Sequence, residues 1–357
     1  MAYTPSKISF YHYNETECVF EENTTLKTCA TKITGQHVNW INIVGIDDAP
    51  TMQQATELFH IHPLVVEDIL NPNQRAKVED YGDTLYIVLR MFILLDGEVK
   101  DQQVSLVLHD NMLVTFREAE FGILKKMIGD KLIAGVGNLR KKGEDYLLYY
   151  ILDVIIDQYY FVLEHLSGQI ETLEKEVFQN PQNEHLLLLQ HLKGDVLYMR
   201  RHVLPVRDLI QNLSRFEVTY FESDNKYYLR DLQDHTMRNS EELDFQRDQV
   251  NGLMDLYYSL QNHKMNNVMK TLTGVSFVLL PLNFLASLYG MNFTYIPHSN
   301  DTNGFWEVVA LMAFIAIILT YFAFKRNWLS MNDFDNDRNK WKSVSFSDLS
   351  ILYTMVI

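Results

Sequence analysis

Residues 271–292 read TLTGVSFVLLPLNFLASLYGMN, a run without a charged side chain that ends in Tyr289-Gly290-Met291-Asn292. A second charge-free run covers residues 308–324. A helix needs about 20 apolar residues to cross a bilayer, and the second run reaches that length when Phe305 and Trp306 serve as interfacial anchors. The sequence therefore predicts two membrane spans in the last quarter of the chain.

Composition limits the partners of the remaining chain, which is too polar to enter lipid. The 357 residues include 46 acidic and 31 basic side chains, giving a formal net charge of -15. This acidic balance argues against nucleic acid as a partner and against docking on anionic lipid. Cys18 and Cys29 lack the spacing of a zinc or disulfide framework and are typical of a reduced, cytosolic domain.

The distribution of basic residues predicts the orientation in the membrane. Lys264 and Lys270 precede the first span, Lys325 and Arg326 follow the second, and residues 291–303 contain no Lys or Arg. By the positive-inside rule, both termini face the cytoplasm. No signal peptide is predicted at the N-terminus, so we expect a multi-pass protein of the inner or plasma membrane.

The N-terminal part, residues 1–140, carries the pattern of an α/β domain. Two segments, 51–58 and 63–70, are typical of short helices. His60 and His62 precede the second of these, and we interpret them as packing or capping residues and not as a metal pair. Five segments rich in β-branched and aromatic residues predict a small mixed sheet: 8–13, 38–46, 84–92, 103–108 and 112–116.

Helical periodicity dominates from residue 141 onward. Segments 144–178 and 184–213 predict an antiparallel pair of long helices within residues 141–225. A third helix is predicted over 226–290 and includes the first span at 271–290; it would extend about 80 Å before Pro281. The predicted organisation ends with three segments: an extracytoplasmic loop at 291–304, the second span at 305–325 and a cytoplasmic tail at 326–357.

A stripe of mostly polar residues follows one side of the predicted first span. A buried amide costs several kcal/mol unless it is hydrogen-bonded or hydrated. The stripe could pack the first span against the second, but the second span offers almost no polar partner. The alternative is a pore formed by several copies of the first span, which requires an oligomer. At 100° per residue, the polar stripe consists of Asn266, Met269, Thr273, Ser276, Leu280, Asn283 and Ser287.

The chemistry of a pore lined by these residues favours hydrated magnesium. Asparagine and serine hold water, whereas Met269 and Leu280 would form dry constrictions that gate by dewetting. Mg²⁺ gives up its water shell reluctantly, and a ring of Asn292 amides can hydrogen-bond that shell without removing it. The first span contains neither Cys nor His, which argues against a soft-metal pathway.

These features resemble the CorA magnesium transporter family, whose Gly-Met-Asn signature corresponds to Gly290-Met291-Asn292. The similarity extends to FHIHPL at 59–64, QRAKVE at 74–79 and RDLQDH at 230–235, and it covers nearly the whole chain. It implies a funnel-shaped homopentamer with a pore formed by the first spans and a selectivity filter at Tyr289, Gly290, Met291 and Asn292. Family pore positions correspond to Asn266, Met269, Leu272, Leu280, Asn283 and Asn292.

The resemblance also implies regulation by magnesium. In the family, regulatory cations bridge acids between neighbouring subunits, and Asp231 matches one of these acids. Asp96 is the best candidate for its partner, although both acids are also compatible with a solvated surface. Facing acids repel one another until a divalent ion bridges them, so loss of cytosolic magnesium would loosen the interfaces and open the pore.

Three other functions compete with a magnesium channel. An enzyme is disfavoured because the sequence has no Gly-rich phosphate loop, nucleophile elbow or His-Glu metal motif. A zinc transporter of the same architecture is the main rival, but Met291 favours magnesium, with cobalt or nickel as further cargo. A non-conducting membrane sensor would leave Asn266 and Asn283 unexplained.

Overall fold

The computed structural model describes residues 5–216, 220–222, 225–291 and 303–328. The predicted filter residue Asn292, most of the loop after it and the tail from residue 329 lie outside the described residues. The chain divides into a first unit, Met1–Glu174 with Leu187–Gly252, and a second unit, Lys175–Leu186 with Leu253–Ile357. The segment boundaries proposed from the sequence stay predictions.

A mixed sheet forms the centre of the first unit, as the sequence predicted, but it has seven strands where five were predicted. The strands are β1 Lys7–Tyr13, β2 Cys18–Glu22, β3 Val38–Val44, β4 Lys77–Asp80, β5 Thr84–Leu95, β6 Glu98–His109 and β7 Met112–Arg117. Their order is β2-β1-β3-β7-β6-β5-β4. β3 and β7 pair in parallel, with Ile41 opposite Val114, and the other neighbours are antiparallel.

The central strands were predictable because they are rich in β-branched and aromatic residues, whereas the edge strands were missed. All six residues of β7 are buried, a pattern typical of strands covered on both sides. The edge strands β2 and β4 are short and only partly buried. They carry charges such as Glu21 and Glu79, which are common on sheet edges and hide the strand pattern.

Three short helices cover one face of the sheet: α1 Leu26–Lys32, α2 Ala49–Leu58 and α3 Pro63–Leu70. They enclose an apolar core that includes Phe10, Ile41 and Val65. His62 caps α3, because its Nδ1 accepts a 3.2 Å hydrogen bond from the Leu64 N–H. The interpretation of His62 as a capping residue is confirmed. α1 was not predicted from the sequence.

Long helices make up the remainder of the described chain. A π-helical turn at Lys125–Gly129 leads into the short helix α4, Asp130–Ala134. The long helices are α5 Glu144–Gln179, α6 Asn183–Leu213, α7 Lys226–Tyr289 and α8 Gly304–Lys325. α6 continues through Pro205 and α7 through Pro281. A proline inside a helix removes one backbone hydrogen bond, which neighbouring contacts must offset.

Three of these helices, α5, α7 and α8, are long and apolar enough to cross a membrane. They differ in how much of the apolar segment the chain itself covers: 67% of the α5 segment is buried, but only 6% of the segments in α7 and α8. α5 therefore buries its apolar surface inside the protein. The apolar surfaces of α7 and α8 remain open to lipid or to other chains.

Candidate ion pathway and metal centre

The structure places all eight predicted pore-lining residues on α7. Seven of them are exposed and Ser276 is half-buried; Leu280, the most apolar constriction proposed, is 66% exposed. The Thr273 hydroxyl donates to the Met269 carbonyl of its own helix at 2.7 Å and needs no partner from another span. The eight residues are Asn266, Met269, Leu272, Thr273, Ser276, Leu280, Asn283 and Ser287, and their role in a pore stays a prediction.

The Asn283 side chain is exposed on the same helix, two residues after Pro281. Over residues 225–291 and 303–328, no side-chain hydrogen bond of Asn283 is formed. Within the second unit, the ring of Trp328 meets Phe277, which is not a stripe residue, edge-on at 5.4 Å. The polar stripe therefore stays exposed in the single chain. This exposure favours the pore interpretation over packing of the stripe against the second span.

The predicted filter begins where α7 ends. Tyr289 is the last helical residue, and the Gly290 N–H donates to the Ala286 carbonyl at 3.0 Å. A Cβ atom at Gly290 would lie 3.2 Å from that same oxygen, so a side chain would crowd the helix terminus. Met291 closes the turn through a longer bond to the Leu288 carbonyl, and Asn292 lies beyond the described residues.

A second candidate site lies in the first unit, where four side chains form what we call the acid–histidine cluster: Asp153, Asp157, Asp231 and His235. His235 Nδ1 lies 3.7 Å from Asp157 Oδ1 and 4.0 Å from Asp153 Oδ1. Its Nε2 lies 3.7 Å from Asp231 Oδ1. One ligand atom each from Asp153, Asp157 and His235 can be chosen so that all lie within 4.8 Å of one another.

Helix geometry brings these four side chains together. Asp153 and Asp157 are one turn apart on α5, and Asp231 and His235 are one turn apart on α7, so each pair shares a helix face. On the N-terminal side of the cluster, the rings of Tyr149 on α5 and Tyr228 on α7 pack together, with centroids 4.9 Å apart. This contact holds the two helices side by side. Lys142 rests on the Tyr228 ring at 4.7 Å.

The acid–histidine cluster contains three carboxylates and one imidazole, so its negative charge exceeds its positive charge. Burial, and then the nearby Asp157 carboxylate, raise the pKa of Asp153 to about 6. Burial also raises the pKa of Asp157, with His235 acting in the opposite direction. Crowded carboxylates favour their protonated forms unless a cation binds between them. The converging atoms of Asp153, Asp157 and His235 suit a divalent ion, with oxygen ligands for magnesium and nitrogen for cobalt or nickel. Asp231 lies at the other ring nitrogen of His235 and adds negative charge beside this position.

Sequence reasoning found only part of this cluster. Asp231 was predicted as a regulatory ligand, but Asp153, Asp157 and His235 were not. The available signal was the four-residue spacing of ligand-type side chains on two predicted helices. The other predicted ligand, Asp96, lies at the tip of the β5–β6 hairpin with a left-handed φ of 52°. Within the described ranges Asp96 forms no ion pair, and its role between subunits stays a prediction.

Comparison with known proteins decides the family. A family described as "CorA-like Mg2+ transporter protein" matches residues 35–326 of the chain. The chain belongs to the CorA family. The family assignment made from Gly290-Met291-Asn292 is therefore confirmed.

Individual relatives agree with this assignment. The cobalt/magnesium transport protein CorA of Thermotoga maritima is 38% identical over 292 residues, which is 81% of this chain and 83% of the relative. The zinc transport protein ZntB of Yersinia pseudotuberculosis is 25% identical over 273 residues, covering 75% of this chain and 81% of the relative. The similarity to the named zinc transporter is thus weaker than the similarity to the named magnesium transporter.

A solved structure shows the same fold. The complete structure of the CorA magnesium transporter from Methanocaldococcus jannaschii matches with a TM-score of 0.74 and 23% identity, over 90% of this chain and 98% of that chain. The predicted fold class is confirmed: an α/β domain, a long helical stalk and C-terminal apolar helices. As a CorA-family chain, the protein is a magnesium transport protein of a membrane, and its family is one of transporters and not of enzymes.

Proposed function

We propose that five copies of this chain surround a pore formed by α7, through which hydrated magnesium enters the cytoplasm. The observation that carries the proposal is the uncovered polar stripe on a helix that is otherwise apolar enough to cross a membrane. Asn283 in particular needs water or another polar group beside it in a bilayer. A water-filled axis shared by several copies supplies both water and the polar side chains of the other copies.

The filter of this pore consists of Tyr289, Gly290, Met291 and Asn292. Neutral amides suit an ion that keeps its water shell, because they hydrogen-bond the bound water and do not replace it. Cobalt is a further cargo, since the Thermotoga maritima relative is named for both ions. The pore works without a nucleotide, and an inside-negative membrane potential draws the cation inward.

The topology that fits this pore has two spans, α7 from residue 271 and α8, with both termini in the cytoplasm. Lys325 and Arg326 at the end of α8 and Lys270 before the first span supply the cytoplasmic positive charge. α5 is not a span in this arrangement, because its apolar surface is already covered by the protein.

Magnesium also regulates the pore through the acid–histidine cluster. Bound Mg²⁺ neutralises the repulsion among Asp153, Asp157 and Asp231 and fixes α7 against α5 in the closed state. When cytosolic magnesium falls, the acids repel one another and α7 is released. Asp96 of a neighbouring subunit is the proposed additional acid at this site.

The experiment that tests the transport proposal measures magnesium entry into liposomes that contain the purified full-length protein. Flux is recorded with and without an inside-negative potential for the parent and for Asn292→Ala. Thr271→Ala is the matched control, because Thr271 is a polar residue of the first span that lies off the stripe and donates to the Asn267 carbonyl of its own helix.

We expect potential-driven flux in the parent and in Thr271→Ala, and its loss in Asn292→Ala at unchanged oligomer size. Normal flux in Asn292→Ala would remove the filter role. Movement of zinc without magnesium would transfer the assignment to the zinc-transporting branch. Absence of all divalent flux would make the non-conducting sensor the better account.

A further inference from the structure

The interface between α5 and α7 in the first unit has the residue spacing of a coiled coil. Buried residues on α7 alternate three and four positions apart, which is the spacing of a heptad seam. α5 shows the same alternation from Ile156 through Tyr159 and Leu163 to Leu166. On α7 the seam contains Leu229, Leu232, Thr236, Asn239, Leu243, Gln246 and Val250.

Two amides interrupt the apolar seam, and both reach across to the backbone of α5. Asn239 Nδ2 donates to the Ile156 carbonyl at 3.2 Å, and Gln246 Nε2 donates to the Leu163 carbonyl at 2.9 Å. The two donors are seven residues apart, and so are the two acceptors. α5 and α7 therefore run parallel, and the pair of bonds repeats after two helical turns.

Ser167 of α5 adds a side-chain contact: its hydroxyl donates to Glu242 at 3.3 Å and accepts from Gln246 at 2.9 Å. The other polar residues near the seam do not reach the backbone of α5. Thr236 donates to the Leu232 carbonyl and Ser240 to the Thr236 carbonyl, both within α7. Arg200 on α6 pairs with Asp244 at 2.8 Å, but both side chains are partly exposed and solvent weakens the pair. The bonds of Asn239 and Gln246, which we call the seam amides, depend directly on the register of α7 against α5.

We propose that the seam amides are positioning residues that fix the register of α7 against α5, so that Asp231 and His235 face Asp153 and Asp157. The proposal rests on the regulatory role given to the acid–histidine cluster above. Sliding α7 by one residue moves it about 1.5 Å and rotates its faces by about 100°. Leucine and valine can repack after such a slide, but buried amides lose their acceptors.

The seam amides are not explained by stability alone. Gln246 is fully buried, and its Oε1 atom has no hydrogen-bond partner within the described residues. An unpaired buried oxygen is unfavourable, and leucine at a seam position would avoid it. A polar residue in a coiled-coil seam typically specifies register at a cost in stability. The two amides follow the metal ligands on the same helix, Asn239 about one turn and Gln246 about three turns after His235.

The test separates register from stability in the full-length protein. Asn239→Leu, Gln246→Leu and the double variant are compared with Leu243→Met, an apolar, volume-conserving change in the same seam. Spin labels are placed at Phe161→Cys on α5 and Phe245→Cys on α7, both exposed in this chain. A Cys18→Ala/Cys29→Ala background and dilution with unlabelled protein restrict the measured distances to single subunits.

We expect a single narrow label distance in the parent and in Leu243→Met, and a broadened or shifted distribution in the leucine variants at an equal or higher unfolding temperature. The magnesium concentration that gives half-maximal protease protection should rise about tenfold in the double variant, consistent with the loss of two buried hydrogen bonds. Asn239→Leu alone keeps Gln246 and its bond to α5. We therefore expect this single variant to raise the half-maximal magnesium concentration by less than the double variant does.

Unchanged label distances in the double variant would overturn the proposal. A lower unfolding temperature with a narrow, unshifted distance would also overturn it, because the amides would then serve packing only. If the parent shows no magnesium protection at all, the regulatory role of the cluster fails, while the label distances still decide whether the amides set the register.

Discussion

The two halves of α7 belong to one uninterrupted helix but bury their apolar residues in different ways. In the half within residues 226–252, Leu232, Leu243 and Val250 are fully buried by the chain itself. In the half from residue 271 to 289, Leu272 and Leu280 are more than half exposed. The helix is continuous across the boundary, so the difference lies in what covers the side chains.

One helix is therefore specified by two unrelated sequence patterns. The lower half has a narrow heptad seam that matches α5, with charged residues on the remaining surface. The upper half is apolar around most of its circumference, with one polar stripe. A narrow seam needs a partner in the same chain, whereas a wide apolar surface with a polar stripe needs lipid on one side and water on the other.

The largest expected effect comes from truncating matched leucines in the two halves. Leu243→Ala should lower the free energy of unfolding by about 3 kcal/mol, because it leaves a cavity in the α5–α7 seam. Leu280→Ala should change it by less than about 0.5 kcal/mol, since the described part of the chain leaves that side chain 66% exposed. Calorimetric unfolding of both variants in detergent tests the contrast.

Equal destabilisation by the two leucine variants would mean that Leu280 is packed within the folded subunit and would remove it from the pore. In liposomes, Leu280→Ala should instead increase magnesium leak, because a dry constriction has been widened.

A smaller effect is expected from removing the most isolated amide of the upper half. Asn283→Leu should reduce potential-driven magnesium flux roughly tenfold, because an apolar ring excludes the water that accompanies the ion. Liposome flux is the measurement, and Asn283→Ser, which keeps a small polar group, is the control. The unfolding temperature should not fall in either variant. Undiminished flux in Asn283→Leu would place this residue outside the conduction path.

In the lower half, reversing one cluster charge should have a moderate effect. Asp231→Lys places a cation beside His235 and removes a negative charge next to the proposed metal site. We expect the magnesium concentration for half-maximal protease protection to rise about fivefold, within the range of partly exposed charge interactions. Asp234→Lys is the matched control, because Asp234 is exposed on the same helix and lies outside the cluster. Equal shifts in both variants would reduce Asp231 to a general surface charge.

The smallest expected effect is the pH dependence of stability without divalent ions. The pKa of Asp153 is higher in the folded chain than its ordinary value, so the folded state binds more protons. The stability from that protonation is fully present below about pH 4 and is lost as the pH rises through about 6. In chelator, the chain should be more stable at pH 5.5 than at pH 7.5, by on the order of 1 kcal/mol.

Thermal unfolding of the parent and of Asp153→Asn in EDTA checks this dependence. The asparagine variant cannot titrate at this position, so its stability should vary less between the two pH values. An identical pH profile for both proteins would mean that other groups cause the dependence.

Part of the candidate site could be predicted from the sequence and part could not. The polar stripe was predictable because all its members lie on one helix, where spacing alone fixes which side chains share a face. Asp231 was found through the RDLQDH segment at 230–235. Its companions were missed because Asp153 and Asp157 are almost 80 residues away in the chain, and only the parallel packing of α5 against α7 brings them to His235.

The central strands, the long helices, the two apolar runs and the family were predictable from the sequence, because these depend on local periodicity and on short motifs such as Gly290-Met291-Asn292. The tertiary structure alone decided that α5, also long and apolar enough for a membrane, is buried in the protein. It also decided that Asn239 and Gln246 cross to the backbone of α5. Burial and register are relations between distant segments, and local patterns leave them open until the helices pack.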